Sequence, residues 1–392
     1  MEPPVVDATL DVPVRVDWTS SLDGTFGDSF LRDVRALDIS TLQRFPPPKM
    51  GGLPFGHEIR ILRRFARGAS SMLDQSAFSE LYRAFATPRQ RLAYRALVIG
   101  EELSRGEWEH LIGAEAASAW THHHMLSPAA AGGLRARFRA VVASGLVLIV
   151  DPLDEAFRFR VHIGQDSLNM AEFLEQRHFP PDARALDVGT GSGVLLMTIA
   201  RGRREGVGVD INPRAVRLAR FNARLNELRN CRIEERDVFA ASDAIGRFDI
   251  VTWNTPFMFF PESWKETSVD GYGGHLGIEI PLRFIDLLPS LLADRGVAFV
   301  LAAAPRMLDG TNRLDAELRS RLPSLGLDAT AHVLQTFWVP QLREFYDQHG
   351  VRNFESVILE LSVGRGRLIR RQRASITAAT DALRDLVYRV RS

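Results

Sequence analysis

Between Ala185 and Val194 the chain reads Ala-Leu-Asp-Val-Gly-Thr-Gly-Ser-Gly-Val, an apolar run, an acid and three alternating glycines. Gly189, Gly191 and Gly193 let a backbone turn tightly and come close to a ligand. Thr190 lies within the same loop. A dinucleotide-binding loop would want its third glycine at position 194, where valine stands. Asp187, just before the first glycine, would repel a pyrophosphate and suits a ligand that carries an ammonium group. Val207-Gly-Val-Asp210 places a second acid where the next strand ends, suited to accepting two ribose hydroxyls. Ile211 and Asn212 continue that wall, and Pro213 opens a helix. Asp237 and Val238 end a third strand, where an acid and the following amide can read an adenine edge. A turn cap is the alternative for Asp237, and a tight turn without ligand is the alternative for the glycine loop.

A fourth strand, Phe248–Trp253, ends in Asn254-Thr255-Pro256-Phe257. Together with Gly189–Gly193, Asp210-Ile-Asn-Pro213, Ala219-Arg-Phe-Asn222 and Tyr272–Gly277, this motif makes residues 160–365 resemble the amino-methyltransferase group of class I S-adenosylmethionine (SAM)-dependent methyltransferases. The resemblance is strongest to release-factor glutamine methyltransferases and relatives with small N-terminal domains. It implies SAM as cofactor, held by Asp187, Gly189, Thr190, Gly191, Gly193, Asp210, Ile211, Asn212, Asp237, Val238 and Asn254. It also implies that the Asn254 side-chain oxygen and the Thr255 carbonyl grip the hydrogens of an acceptor nitrogen. Pro256 shapes the turn and Phe257 packs on the flat acceptor group. The family pattern is Asn/Asp-Pro-Pro-Tyr/Phe, so Thr255 departs from it. Gln165, Asp166 and Ser167 fall where relatives place a loop against the methionine end of SAM, and Ser167 equally suits a helix cap. Phe259, Trp264, Tyr272 and His275, with Gln165, are the expected acceptor wall; buried packing is the alternative for the aromatics.

The elements that would position these residues alternate in a regular rhythm. Strands are expected at 184–188, 206–210, 231–236, 247–253, 296–303, 329–339 and 354–363, with helices at 192–203, 213–227 and 279–293. That is an α/β fold: a doubly wound, seven-stranded class I methyltransferase sheet with a smaller N-terminal helical, winged-helix-like domain. Residues 1–55 read as an irregular N-terminal arm and 56–155 as a substrate-recognition domain. That domain is helical from about Ser70 and contains a Ser104/Glu107 capping box. It ends in a hairpin across Ser144-Gly145. Residues 156–365 form the SAM-dependent methyltransferase domain. In 366–392, Ile376, Ala379, Leu383, Leu386 and Val390 mark an amphipathic helix.

Composition narrows the function classes. Forty-nine basic and 48 acidic residues leave a net charge of +1, which disfavours a nucleic-acid partner. A single cysteine, Cys231, excludes an internal disulfide and a cysteine-rich zinc site. His122, His123 and His124 point about 100° apart on a helix and do not read as a metal site. No secretory signal or long apolar run is evident, so a cytoplasmic protein without membrane partner is expected. The expected activity is N-methylation of an amide or amine in a peptide or a specialised small molecule, with a homodimer as the oligomer the tail helix would serve. The alternatives are protein glutamine methylation, nucleic-acid adenine methylation, small-molecule O-methylation, and a SAM-binding regulator without turnover.

Overall fold

The computed structural model describes residues 17–39, 87–152, 159–240, 245–267 and 271–372. The chain divides into two compact units, residues 1–140 with 150–160, and residues 141–149 with 161–392.

In the first unit, the segment read as an irregular arm contains a 3-10 turn at Trp18–Leu22 and a helix at Gly24–Ala36. Gly27, Phe30, Leu31 and Val34 make the buried stripe of that helix. Gly27 is required because a Cβ there would lie 1.9 Å from the Leu22 carbonyl oxygen. Further helices run Pro88–Ala93, Arg105–Ile112 and Ala114–His122, the second opened by the expected Ser104/Glu107 capping box. Phe30 packs edge-on against Trp120 and Phe138, at 4.8 and 5.3 Å between ring centres. The buried indole N–H groups of Trp108 and Trp120 donate to the Leu134 carbonyl and to Asp33. His123 stacks on Phe26 at 3.8 Å, and no cluster suited to a metal ion exists among the described residues. The hairpin across Ser144-Gly145 forms, from Arg139–Ala143 and Leu146–Val150, with residues 141–149 belonging to the second unit. The first part of the helical stretch expected from about Ser70, up to residue 86, lies outside the described residues.

The second unit is built on a single large sheet. Its strands are β1 (Arg184–Val188), β2 (Glu205–Asp210), β3 (Cys231–Glu235), β4 (Phe248–Asn254), β5 (Leu292–Met307), β6 (Leu327–Phe337), β7 (Val351–Val363) and β8 (Leu368–Gln372). Their order is β8-β6-β7-β5-β4-β1-β2-β3. β7 pairs antiparallel with both neighbours, and the remaining pairings are parallel. Helices α1 (Gln165–Glu175), α2 (Val194–Ala200), α3 (Pro213–Leu225), α4 (Glu279–Leu291) and α5 (Arg313–Leu325) accompany it. Pro213 opens α3 as expected, with the Asn212 side chain accepting from the Arg214 N–H at 3.0 Å.

Two features depart from the sequence reading. Among the described residues the sheet has eight strands rather than seven, because Leu368–Gln372 pairs with β6 where the reading began a tail helix. Side chains hold this strand: Arg370 pairs with Asp315 at 2.6 Å and with Glu355, and Arg367 pairs with Asp328 at 2.7 Å. Arg367 and Arg370, at the start of the segment read as tail, are thus docked by long-range ion pairs, invisible to helical periodicity. The apolar positions Ile376–Val390 lie outside the described residues. The second departure is α5, which opens at Asn312, whose side chain caps the Asp315 N–H.

Candidate active site

The residues singled out in the sequence gather at the carboxyl ends of four adjacent strands. Asp187 lies near the end of β1, Asp210 ends β2, Asp237 follows β3 and Asn254 ends β4. This edge is where open α/β sheets bind ligands.

The glycine loop leaves β1 with all three glycines at positive φ, +56° at Gly189, +54° at Gly191 and +84° at Gly193. A Cβ on Gly189 would stand 2.6 Å from the Trp253 indole nitrogen, so β4 packs against the loop there. A Cβ on Gly191 would meet nothing nearer than 3.8 Å. Its backbone angle demands glycine, and a Cβ there would make only an ordinary contact with the Gly189 carbonyl oxygen.

Asp187 is buried and faces inward. Thr252 Oγ1 donates to one carboxylate oxygen at 2.7 Å; Thr190 Oγ1 and the Leu196 N–H donate to the other at 2.8 and 3.1 Å. Burial pushes this carboxyl up to about 7, against the hydrogen bonds that favour its charged form. Asp187 and Thr190 therefore brace the loop from behind with their side chains, where the sequence suggested ligand contacts. Asp210 ties the loop to β2. One of its oxygens accepts from the Gly191 N–H and the other from the Asn212 N–H, both at 2.9 Å. Ile211, the next residue, is 58% exposed although apolar. Asp237 is exposed and accepts from the Phe239 N–H at 2.9 Å, which is the turn alternative; Val238 is buried.

Asn254 has two unlike ends. Its Nδ2 donates to Ser167 Oγ at 2.9 Å, whereas its Oδ1 is buried with no hydrogen-bond partner. Thr255, which follows, is buried and bonded to Leu301 of β5. Gln165, Asp166 and Ser167 do not form one wall. Gln165 donates to Asn169, Asp166 is half-buried beside Ser356, and Ser167 turns to Asn254. Burial raises the Asp166 carboxyl, partly countered by Ser356.

The expected aromatic wall separates into groups. Phe257 is buried with its ring 6.2 Å from Phe337. Phe259 packs into a cluster with Phe345 at 4.7 Å and His349 at 5.1 Å, so it belongs to the core. Phe260 lies between exposed Trp264 and Tyr272, at 6.3 and 5.3 Å. His275 is exposed, with its backbone N–H donating to Glu279. The Tyr272–Gly277 segment serves as a buttress: the Met258 N–H donates to Gly271 and the Gly273 N–H returns to Met258. A Cβ on Gly277 would lie 2.3 Å from the Phe257 carbonyl oxygen.

Several participants were given no role by the sequence reading. Thr252 and Trp253 support the glycine loop across β4, and only pairing of β1 with β4 brings them there. Asn222 is fully buried on α3. Its oxygen accepts from the Ile149 N–H at 2.8 Å, and its nitrogen donates to the Ile149 and Ser192 carbonyls at 3.0 and 2.9 Å. Asn226, one turn on, brackets Val147 in the same way at 2.8 and 2.7 Å. Two asparagines at i and i+4 thus act as the hydrogen-bonding partner of the strand edge at 147–149, and Asn222 joins it to the glycine loop. The i, i+4 spacing was the available signal.

Residues 180–272 match the family described as a methyltransferase domain. The chain carries a class I SAM-dependent methyltransferase domain. Over 126 residues it is 38% identical to a provisionally named protein N5-glutamine methyltransferase of Methanocaldococcus jannaschii, covering 30% of this chain and 61% of that protein. It is 36% identical over 132 residues to the release factor glutamine methyltransferase of Rhodospirillum rubrum, covering 30% and 39%. It is 42% identical over 84 residues to the ribosomal protein L11 methyltransferase of Ralstonia nicotianae, covering 21% and 26%. The chain spans less than two thirds of the length of each of these relatives.

The cofactor of such a domain is SAM, and the residues present fit it. A Cβ at Gly191 would meet nothing nearer than 3.8 Å, so the backbone there is uncrowded enough for a ligand to approach. Asp210, offering about four acceptor sites as an ionised carboxylate, can hold the loop and also take ribose hydroxyls. Exposed Ile211 is an apolar face that an adenine ring would cover. No described helix is long and apolar enough to cross a membrane.

Proposed function

We propose that the methyltransferase domain methylates a carboxamide nitrogen, with the side chain of a glutamine in a peptide as the acceptor to test first. The observation that carries this reading is the buried, unpartnered Oδ1 of Asn254. A buried acceptor without a donor costs about 1–3 kcal/mol, and an acceptor N–H placed there removes that cost. The names of the relatives in Methanocaldococcus jannaschii and Rhodospirillum rubrum, both glutamine methyltransferases, support the same chemistry.

A carboxamide nitrogen is a poor nucleophile because its lone pair is delocalised. Asn254 Oδ1 accepts one N–H and the Thr255 carbonyl accepts the other, which turns the lone pair toward the incoming methyl. Bound SAM supplies that methyl on a sulfonium. One S–C bond breaks as one N–C bond forms, and the nitrogen releases one proton to solvent. Placement of this kind can lower a barrier by up to about 7–11 kcal/mol.

Nucleic acid is a less favoured acceptor. Two of the tail arginines that would add a basic patch are engaged within the chain, Arg367 with Asp328 and Arg370 with Asp315 and Glu355. The test is methyl transfer from labelled SAM to a terminally capped peptide holding one glutamine, with the methylated atom located by fragmentation mass spectrometry. Label on the side-chain nitrogen is expected. Label on oxygen or carbon of any acceptor would overturn the reading.

A further inference from the structure

We propose that Thr255 is a positioning residue, whose hydroxyl and backbone N–H together hold the acceptor-gripping carbonyl in place. The inference rests on the proposed function for the role of that carbonyl; the clamp itself is a pair of hydrogen bonds in the structure. In the register of β4 against β5, Asn254 lies opposite Leu301. One residue beyond the end of β4, the Thr255 N–H donates to the Leu301 carbonyl at 3.3 Å, and Thr255 Oγ1 donates to the same oxygen at 2.7 Å. Both residues are buried, Thr255 at 3% exposure and Leu301 at 0%.

Two donors on one carbonyl fix two things. The N–H extends the strand ladder by one residue past Asn254. The hydroxyl sets the side-chain rotamer on that same anchor, and its β-branched carbon leaves few alternatives at χ1. Pro256 then biases residue 255 toward an extended conformation, so the Thr255 carbonyl has little freedom left. On its far side the motif is buttressed by Met258 bonded to Gly271 and by Gly277 against the Phe257 carbonyl.

The motif this chain resembles has proline at the position of Thr255. Proline restricts its own φ but has no N–H and no hydroxyl. Here it would leave the buried Leu301 carbonyl without either donor. The two solutions are therefore not interchangeable. In this chain, hydrogen bonds to β5 replace ring rigidity, and reverting to the familiar residue breaks the clamp.

Three variants of the full chain test this, each saturated with SAM. Thr255→Ser keeps both donors, Thr255→Val keeps the shape and the N–H, and Thr255→Pro removes both donors. One readout is the turnover number on the capped glutamine peptide. Thr255→Ser should stay within about threefold of wild type, Thr255→Val should fall about three- to tenfold and Thr255→Pro about tenfold or more, the range one or two lost hydrogen bonds span. SAM affinity should stay nearly constant, which separates this role from a cofactor contact or a folding defect. The second readout needs no acceptor: amide hydrogen exchange at Phe257 and Met258 should accelerate in Thr255→Val and Thr255→Pro but not in Thr255→Ser. If Thr255→Pro fails to fold, the Ser and Val pair decides. Wild-type turnover in Thr255→Pro, equal loss in Ser and Val, or unchanged exchange in Val would each overturn the clamp. A peptide left unmethylated by wild type counts against the proposed acceptor, and exchange alone then decides the clamp.

Discussion

Ser167 holds Asn254 by one end: the Asn254 side-chain nitrogen donates to the Ser167 hydroxyl at 2.9 Å, and the oxygen at the other end stays buried and unpartnered. Ser167 sits in the first turn of α1 and Asn254 at the tip of β4, so a helix start decides how a strand-end amide is turned. Asn254→Ala is expected to reduce methyl transfer about a hundredfold, the scale of a lost positioning contact, with a much smaller change in SAM affinity. Ser167→Ala should cost about tenfold by releasing one hydrogen bond, and Ser167→Thr should recover most of it. Single-turnover rates measured beside equilibrium SAM binding check both. Near-wild-type transfer by Asn254→Ala would make the strand-end motif structural.

Asp210 joins the glycine loop to β2 through the Gly191 N–H. Asp210→Ala removes this bond and the site offered to the ribose hydroxyls. Charge-assisted hydrogen bonds are worth roughly 1.5–3 kcal/mol each, so SAM should bind at least about tenfold more weakly. Titration calorimetry with SAM and with S-adenosylhomocysteine reads this directly. Undiminished affinity would place the ribose elsewhere.

Asp187 gives the protein a pH dependence of definite sign. Its carboxyl is raised from the ordinary 3.8 to about 7 by burial. Between those two values the folded chain holds a proton that the unfolded chain has released. The contribution of Asp187 to stability therefore falls as pH rises from about 4 to 7. Chemical denaturation across that range should show a stability decline that flattens in Asp187→Asn. With the carboxylate turned inward and held by Thr252, Thr190 and the Leu196 N–H, SAM binding near pH 7 should leave its protonation unchanged. Calorimetry in buffers of different ionisation enthalpy checks this: heats that vary with buffer in wild type but not in Asp187→Asn would show that the cofactor reaches the carboxyl.

Asn222 is the polar centre of the packing between α3, the strand edge at Ile149 and the loop at Ser192. Asn222→Leu fills the space but leaves the Ile149 N–H and two carbonyls without their partner. A loss of about 2–3 kcal/mol or more is expected, because each buried unsatisfied group costs about 1–3 kcal/mol. Urea denaturation measures it. SAM binding should weaken in parallel, since Ser192 belongs to the glycine loop; a destabilised variant with unchanged binding would uncouple the two.

The alternation of apolar runs with helix signals was enough to place seven strands within a few residues, because a parallel strand and its crossover helix are specified locally by periodicity, glycine and proline. The same local chemistry marked the glycine loop, Asp210 and Asn254 as belonging to one edge of one sheet. What a linear reading could not supply was direction. Asp187 and Thr190 were legible as loop residues, but only pairing of β1 with β4 put Thr252 in front of Asp187 and turned its carboxylate inward. Thr255 read as a weakened proline until β5 brought the Leu301 carbonyl to both of its donors. The eighth strand read as tail until Asp315, Asp328 and Glu355, remote in sequence, supplied its anions. Hydrogen bonds and ion pairs act over a few ångströms, so residues far apart in the chain acquire these roles only when tertiary folding brings them together.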